Sequence, residues 1–403
     1  MKASESNPNY PSKVREMTNY TIREIKKVCK DIGPRPSGEE NERKAQDYVA
    51  DSMSKVADSV VKEKFELHPK AFMGWVPLDV ILMTISIVLT LLSYFDVLPS
   101  ASTAFSVVSV VLTSLAIIFT FFEFLLYKKF LDPFFPKRET YNVVCTRKAA
   151  GETKRRIVFS GHIDSAYEWY FTHLGGGKLL TTMIALAFGA IAITLAASIV
   201  SFFDVPNGVR ITAIVVLFVC LIPILMCSLF VNWKLCVPGA NDNLTGVFAS
   251  MSVLRYMAAN DIRFENTEVV CVSMACEEAG LRGAKEYVKK HCGEDDVETV
   301  FVGTDTLRDF DDMGVYNKDM TGTVKLDKQA AAMVKHASDI AGYNLPYSSV
   351  FFGSSDAAAI QQGGMKAVAL AAMDPTPARY YHTRGDTADN LDPKTDRKST
   401  RLN

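Results

Sequence analysis

Thr267–Gly283, TEVVCVSMACEEAGLRG, is the stretch whose reading decides the fold. Its β-branched run reads as a strand buried on both faces, because a strand covered by helices shows a near-continuous apolar run instead of alternation. The run ends in two adjacent carboxylates, Glu277 and Glu278, followed by small residues and a glycine. In open α/β sheets, chemistry gathers at the carboxyl ends of strands, where loops converge and the sheet holds them rigid. Two neighbouring glutamates repel each other. A nearby cation relieves that, or protonation of one of them, or simple exposure to water at a helix start. Which of these holds depends on what ends the other strands.

Working outward, the polar parts of the chain alternate helix and strand. Pro11–Lys30 is amphipathic and stops at Gly33-Pro34-Arg35-Pro36-Ser37-Gly38, which cannot continue a helix. A second helix is expected from Glu39 to about Ala57, then a strand at Val60–Leu67. Tyr141–Thr146 and Arg155–Ser160 read as strands, the second running into Gly161-His162-Ile163-Asp164. Pro238–Gly246 is a polar turn before a helix to about Ala259, and Gly283–His291 is the helix after the glutamate pair. Glu298–Gly303 is a strand with Asp305 just past it, Asp327–Ala341 a helix, Lys366–Ala371 a strand, and Tyr380–Asp392 a loop carrying a histidine. This predicts an α/β fold with a mixed, mostly parallel sheet and helices on both faces.

The strand ends therefore offer His162 and Asp164, Asp242, Glu277 and Glu278, Asp305, and His382. Singly each has an ordinary reading: a structural His-x-Asp pair, a helix cap at Asp242, a turn residue at Asp305, a surface histidine. Together they supply two imidazoles and several carboxylates where a sheet would bring them together. Nitrogen and oxygen ligands without thiolate suit zinc, or cobalt or manganese in its place. A carboxylate shared between two ions is the recurring arrangement of two-metal hydrolases.

Composition adds a second theme. In 403 residues, 48% are hydrophobic and the mean hydropathy is +0.10, while a net charge of −1 argues against nucleic acid as a partner. The apolar excess sits in four runs, Val80–Leu98, Thr103–Phe122, Leu179–Phe203 and Ile211–Trp233. A spanning helix needs about 20 apolar residues, so these are expected to cross the lipid bilayer as two hairpins with short outer connections, Pro99–Ser102 and Asp204–Arg210. No signal peptide is expected ahead of them. The basic residues flanking the spans, Lys128, Lys129, Lys137, Arg138, Lys178 and Lys234 against Arg210, place the polar mass in the cytoplasm. Eight cysteines without CxxC or regular spacing fit reduced thiols there. The expected division is a discontinuous catalytic domain over 1–76, 128–178 and 234–395, with transmembrane hairpins at 77–127 and 179–233 inserted into it.

Five motifs, GHID (161–164), PGANDNLTG (238–246), CEEAGLRGA (276–284), GTD (303–305) and YYHTRGDTADNLD (380–392), resemble in order and wording the dinuclear zinc aminopeptidases of the bacterial leucyl aminopeptidase and glutamate carboxypeptidase II group. IGPRPSGEENERKAQDYVA (32–50) is similar to the start of those domains. The resemblance implies a phosphorylase/hydrolase-like α/β/α sandwich with two zinc ions. His162, Asp242 and Asp305 would hold one ion, and Asp242, Glu278 and His382 the other, with Asp242 bridging. Asp164 would fix the tautomer of His162 and Glu277 would be the general base. Tyr381 would donate to the oxyanion. The implied activity is that of a membrane-anchored exopeptidase, an aminopeptidase hydrolysing peptides or aminoacyl amides through a metal-bound hydroxide. The alternatives are another zinc amidohydrolase or cyclase of the same fold, or a non-catalytic membrane receptor or scaffold.

Two features depart from that pattern. The span between Asp164 and Asp242 holds two membrane helices where the family has a short loop, so the site is expected to open near the bilayer, and Gly353–Ala357 lacks a histidine that many relatives carry after the aspartate. The last eight residues, DRKSTRLN (396–403), match the translation of a common short-read library adapter, so the native chain is expected to continue beyond about Thr395.

Overall fold

The computed structural model describes residue 5 and residues 9–350, 352–373 and 380–392. The adapter-like segment lies outside them. The chain divides into two compact units, one of Met1–Pro69, Lys137–Glu168 and Lys234–Asn403, the other of Lys70–Pro136 and Trp169–Trp233.

In the first unit, helices α1 (Tyr10–Asp31) and α2 (Glu40–Met53) precede strand β1 (Ser59–Leu67). Strands β2 (Arg138–Arg147) and β3 (Arg155–His162) follow. The second unit then supplies α3 (Ala71–Tyr94), α4 (Ser102–Phe119), α5 (Tyr170–Val200) and α6 (Asn207–Cys227). The chain passes between units within β4 (Tyr167–Trp169) and β5 (Val231–Cys236), which pair as a two-stranded sheet. The first unit resumes with α7 (Thr245–Ala259), β6 (Thr267–Met274), α8 (Arg282–His291) and β7 (Glu298–Asp305), then β8 (Met313–Asp319), β9 (Val324–Lys325) and α9 (Lys328–Ala341). Strand β10 (Tyr347–Ser349), helix α10 (Asp356–Gln362) and strand β11 (Lys366–Ala372) complete it.

The main sheet runs in the order β1-β2-β6-β3-β7-β11-β8-β10, with β9 on β8. Its four central strands, β6, β3, β7 and β11, are mutually parallel, and antiparallel pairs flank them. The mixed α/β sheet expected from the alternation is therefore present. Strand β6 loses all but its first two residues to the interior, as its unbroken apolar run requires. One core lies under α1, α2 and α7 (Ile25, Val49, Phe248, Met251), a second under α9 (Val302, Leu307, Val315, Val334). Helix α7 packs against the sheet at very close range. A Cβ on Gly161 would fall 2.3 Å from the Val247 nitrogen, and one on Gly246 would fall 2.3 Å from the Thr304 carbonyl oxygen. The glycines of the GHID and NLTG motifs are thus what lets the turn carrying Asp242 approach the ends of β3 and β7.

The second unit holds four helices long and apolar enough to cross a membrane. Where apolar side chains alone would give no direction to packing, hydroxyls do: Ser86 meets Ser109 and Thr113 at 2.6 Å, and Thr90 meets Ser109 at 2.6 Å and Ser198 at 2.8 Å. Helix α3 begins nine residues before the apolar run read from the sequence. Gly74, Pro77 and Asp79 precede that run, yet the helix continues through Pro77, and Asp79 accepts a 2.7 Å hydrogen bond from Thr120.

Candidate metal centre

Every expected ligand arrives at one place. His162 is the last residue of β3 and Asp305 the last of β7; Glu277 and Glu278 follow β6 by three and four residues, Asp242 lies in the turn before α7, and His382 in the loop after β11. The adjacent parallel strands bring their carboxyl ends side by side, which is why distant motifs converge.

Asp242 sits at the centre. Its Oδ1 lies 3.1 Å from His162 Nε2 and its Oδ2 lies 3.0 Å from His382 Nε2. His382 Nε2 is also 3.2 Å from Glu278 Oε1, and His162 Nε2 is 3.8 Å from Asp305 Oδ1 and 3.9 Å from Glu277 Oε2. Two sets of ligand atoms each fall within 4.8 Å of one another: His162, Glu277 and Asp305, and His162, Asp242 and Glu278. Glu277, expected as a base, is therefore as close to His162 as the expected ligand Asp305.

The electrostatics are those of a buried acid nest. Burial drives the Glu277 carboxyl well above its ordinary range, against the pull of His162. Glu278 is raised for the same reason, with His382 opposing, and Asp305 is pushed up to about 7 by burial against His162. Burial also works against ionised Asp242, but the two imidazoles hold it well below the carboxylate range. Burial opposes protonation of the imidazoles, yet the surrounding carboxylates, Glu278 and Asp242 foremost, lift His382 to about 10, and Glu277, Asp164 and Asp242 raise His162. Buried negative charge exceeds what two imidazoles balance, which a divalent cation would correct.

The donor set fits zinc: nitrogen and carboxylate oxygen, no thiolate. Asp242 Oδ2 and Glu278 Oε1 are buried and form no hydrogen bond. The 3.0–3.2 Å spacings around His382 also suit shared ligation, because bonds of about 2.0 Å in a tetrahedron put ligand atoms about 3.3 Å apart.

The supports were less legible in the sequence. Asp164 was expected to orient His162, and its Oδ1 lies 3.4 Å from His162 Nδ1. Its firmer bonds are with the glutamate loop: Oδ1 accepts from the Glu277 backbone N–H and Oδ2 from that of Glu278, both at 3.1 Å, while Ser37 donates to Oδ2 at 2.7 Å. Asp386, in the same motif as His382, accepts from the Asn241 backbone and side-chain nitrogens at 2.8 and 2.7 Å and from the Asp242 N–H at 3.0 Å. Fully buried Arg35 donates to four carbonyls, Ile163, Gly33, Pro238 and Gly239, so it ties three loops together. Glu42 accepts from Gly38, Thr140 and Cys276 behind the glutamate pair. Asp356, in the segment lacking the family histidine, is buried with an oxygen that forms no hydrogen bond, and its charge reaches Glu277. Tyr381 stacks its ring on His382, centroids 4.0 Å apart and 17° from parallel.

Residues 228–403 match the model of peptidase family M28. No curated protein matches the chain. Among solved structures, a zinc-dependent exopeptidase from Parabacteroides distasonis is similar at a TM-score of 0.55 and 11% identity, covering 96% of this chain and 95% of that one. An aminopeptidase from an Aneurinibacillus species is similar at 0.54 and 13%, covering 97% and 95%. A glutaminyl cyclase from Porphyromonas gingivalis is similar at 0.55 and 10%, covering 96% and 95%. The family match covers the PGANDNLTG, CEEAGLRGA, GTD and YYHTRGDTADNLD motifs and is in line with the resemblance to zinc aminopeptidases read from them. The solved structures support the fold.

Proposed function

We propose that this chain, with its peptidase family M28 match over residues 228–403, is a membrane-anchored exopeptidase, an aminopeptidase whose residues would hold two zinc ions and share Asp242 between them. The observation that carries the reading is the placement of Asp242, one carboxylate oxygen toward each histidine at 3.1 and 3.0 Å. His162 and Asp305 complete one ligand set and Glu278 and His382 the other. When bound, zinc polarises the scissile carbonyl and makes water acidic enough to attack at neutral pH.

The chain's own residues do the rest. Glu277, raised by burial and lying beside both ligand sets, takes the proton from the attacking water and passes it to the leaving amine. Asp164 holds the backbone of Glu277 and Glu278 and stands beside His162 Nδ1. Tyr381, kept neutral by burial and stacked on His382, donates a hydrogen bond to the oxyanion. The substrate is a peptide or an aminoacyl amide. The four apolar helices anchor the enzyme in the bilayer, and the basic residues flanking them favour a cytoplasmic catalytic unit.

Substituting Glu277→Gln tests the reading. Hydrolysis is expected to fall by a factor of about 10² or more with the metal retained. Full activity in that variant would remove Glu277 as the base. A cyclase of the same fold is the second reading, supported by the Porphyromonas gingivalis fold; turnover of amino-terminal glutaminyl peptides without release of amino acids would favour it.

A further inference from the structure

The helical unit holds a partly open cavity of about 70 Å³. Its walls are carbon almost throughout, including Phe171, Met183, Phe188 and Phe230, and two of its lining residues carry unsatisfied polar atoms. Both lie on α3, at positions i and i+4 of one face: Trp75, whose indole N–H has no acceptor, and Asp79, whose Oδ1 has no donor. Asp79 is 6% exposed, and its other oxygen already takes the Thr120 hydroxyl. Leaving one buried donor and one buried acceptor unmade is unfavourable, so a group that satisfies both would be held.

We propose that this cavity binds the hydroxyl end of an alcohol-headed amphiphile. A hydroxyl is the smallest group that satisfies both atoms at once, donating to Asp79 Oδ1 and accepting from the Trp75 indole. An ammonium would leave Trp75 unmet, and a carboxylate brings no proton to donate to Asp79 Oδ1. A single water could bridge the two atoms, but further waters in this volume would face carbon and find few partners, whereas a carbon tail fits those walls. The volume admits the hydroxyl and its first few carbons. Phe188, 39% exposed, is at once cavity wall and surface of the unit, and the rest of the tail leaves there. The ligand class is therefore a membrane-soluble primary alcohol. Occupancy of the cavity can be read without hydrolysis or metal.

The test is photolabelling of the full chain in phosphatidylcholine nanodiscs with a diazirine-bearing octanol, followed by peptide mapping. Saturable labelling near Trp75–Asp79 and Phe188 is expected, competed by 1-octanol at least tenfold better than by 1-methoxyoctane, which cannot donate, or by octane. Trp75→Phe and Asp79→Leu are expected each to lower saturable labelling tenfold or more, while Asp79→Asn, which keeps an acceptor oxygen, retains most of it. Monodisperse elution of each variant separates lost binding from lost folding. Non-saturable labelling, equal competition by octane, or unchanged labelling in Asp79→Leu would each overturn the proposal, the last two by showing a void that takes any hydrocarbon.

Discussion

Replacing Asp164 by Asn keeps the shape of the side chain and removes one acceptor. Asp164 now receives three donors, the Glu277 and Glu278 N–H groups at 3.1 Å and the Ser37 hydroxyl at 2.7 Å, and is fully buried. An asparagine can turn its carbonyl toward Glu277 and His162, and its amide can then donate to Ser37. The Glu278 N–H is left facing an NH₂ group and loses its bond. A hydrogen bond to a charged group contributes about 1.5–3 kcal/mol, and an orphaned buried donor costs a similar amount. The expected loss of stability is therefore about 2–4 kcal/mol. At about 2–4 °C per kcal/mol for a unit of this size, that lowers the melting temperature by roughly 4–16 °C. Because the released residue is itself an expected ligand, metal affinity or turnover should fall about 10–100-fold, the usual cost of losing the partner behind a ligand. Thermal melting with and without zinc, with zinc titration calorimetry, reads both effects. An Asp164→Asn protein with unchanged melting and unchanged zinc affinity would refute the claim that this carboxylate holds the glutamate loop.

Asp386→Ala should orphan the Asn241 and Asp242 backbone N–H groups, costing about 2–5 kcal/mol and weakening zinc binding, measurable by the same calorimetry. Arg35→Lys keeps the charge but cannot reach four carbonyls at once, so the unit should lose about 3–5 kcal/mol in denaturant unfolding. Gly161→Ala would force a methyl to within 2.3 Å of the Val247 nitrogen; overpacking of about 1–3 kcal/mol or more should appear as a lower melting temperature and displaced zinc sites. Away from the site, bonds from Arg263 hold Asp58 down to about 2, from an ordinary 3.8. A depressed carboxylate stabilises the fold above its unfolded pKa and loses that contribution as pH falls from about 4 toward 2. Arg263→Ala should return Asp58 toward its ordinary value in an NMR titration.

The residues that speak about chemistry were most legible at the exits of strands, as with His162, Asp305 and the glutamate pair. TEVVCVSM reads as a buried strand from its apolar run alone, and that puts Glu277 and Glu278 at its exit. His162 and Asp305 follow the same logic, whereas Asp242 and His382 lie in loops and were marked by their motifs. The supporting residues were not legible, because their roles depend on pairings distant in sequence. Arg35 meets Pro238 and Gly239 more than 200 residues away, and Glu42 meets Cys276 across 234. No local periodicity marks such contacts. Short elements were missed for another reason. Strands β8, β9 and β10 and helix α10 are two to seven residues long, too short to build a detectable period, and the sheet's edge holds the strands by pairing. Asp305 proved to be the last residue of β7, since the parallel pairing with β11 extends through Ala371 opposite it. Helix α3 starts early because Pro77 and Asp79 break the hydropathy of a run without breaking the helix.

The most direct test of the central claim is the zinc content of the purified full chain by elemental analysis, paired with hydrolysis of an aminoacyl amide panel. Near two zinc ions per chain, both lost in Asp242→Ala, with chelator-sensitive release of free amino acids, is the predicted result. One zinc or none per chain, with Asp242→Ala unchanged, would contradict a two-ion centre built on Asp242.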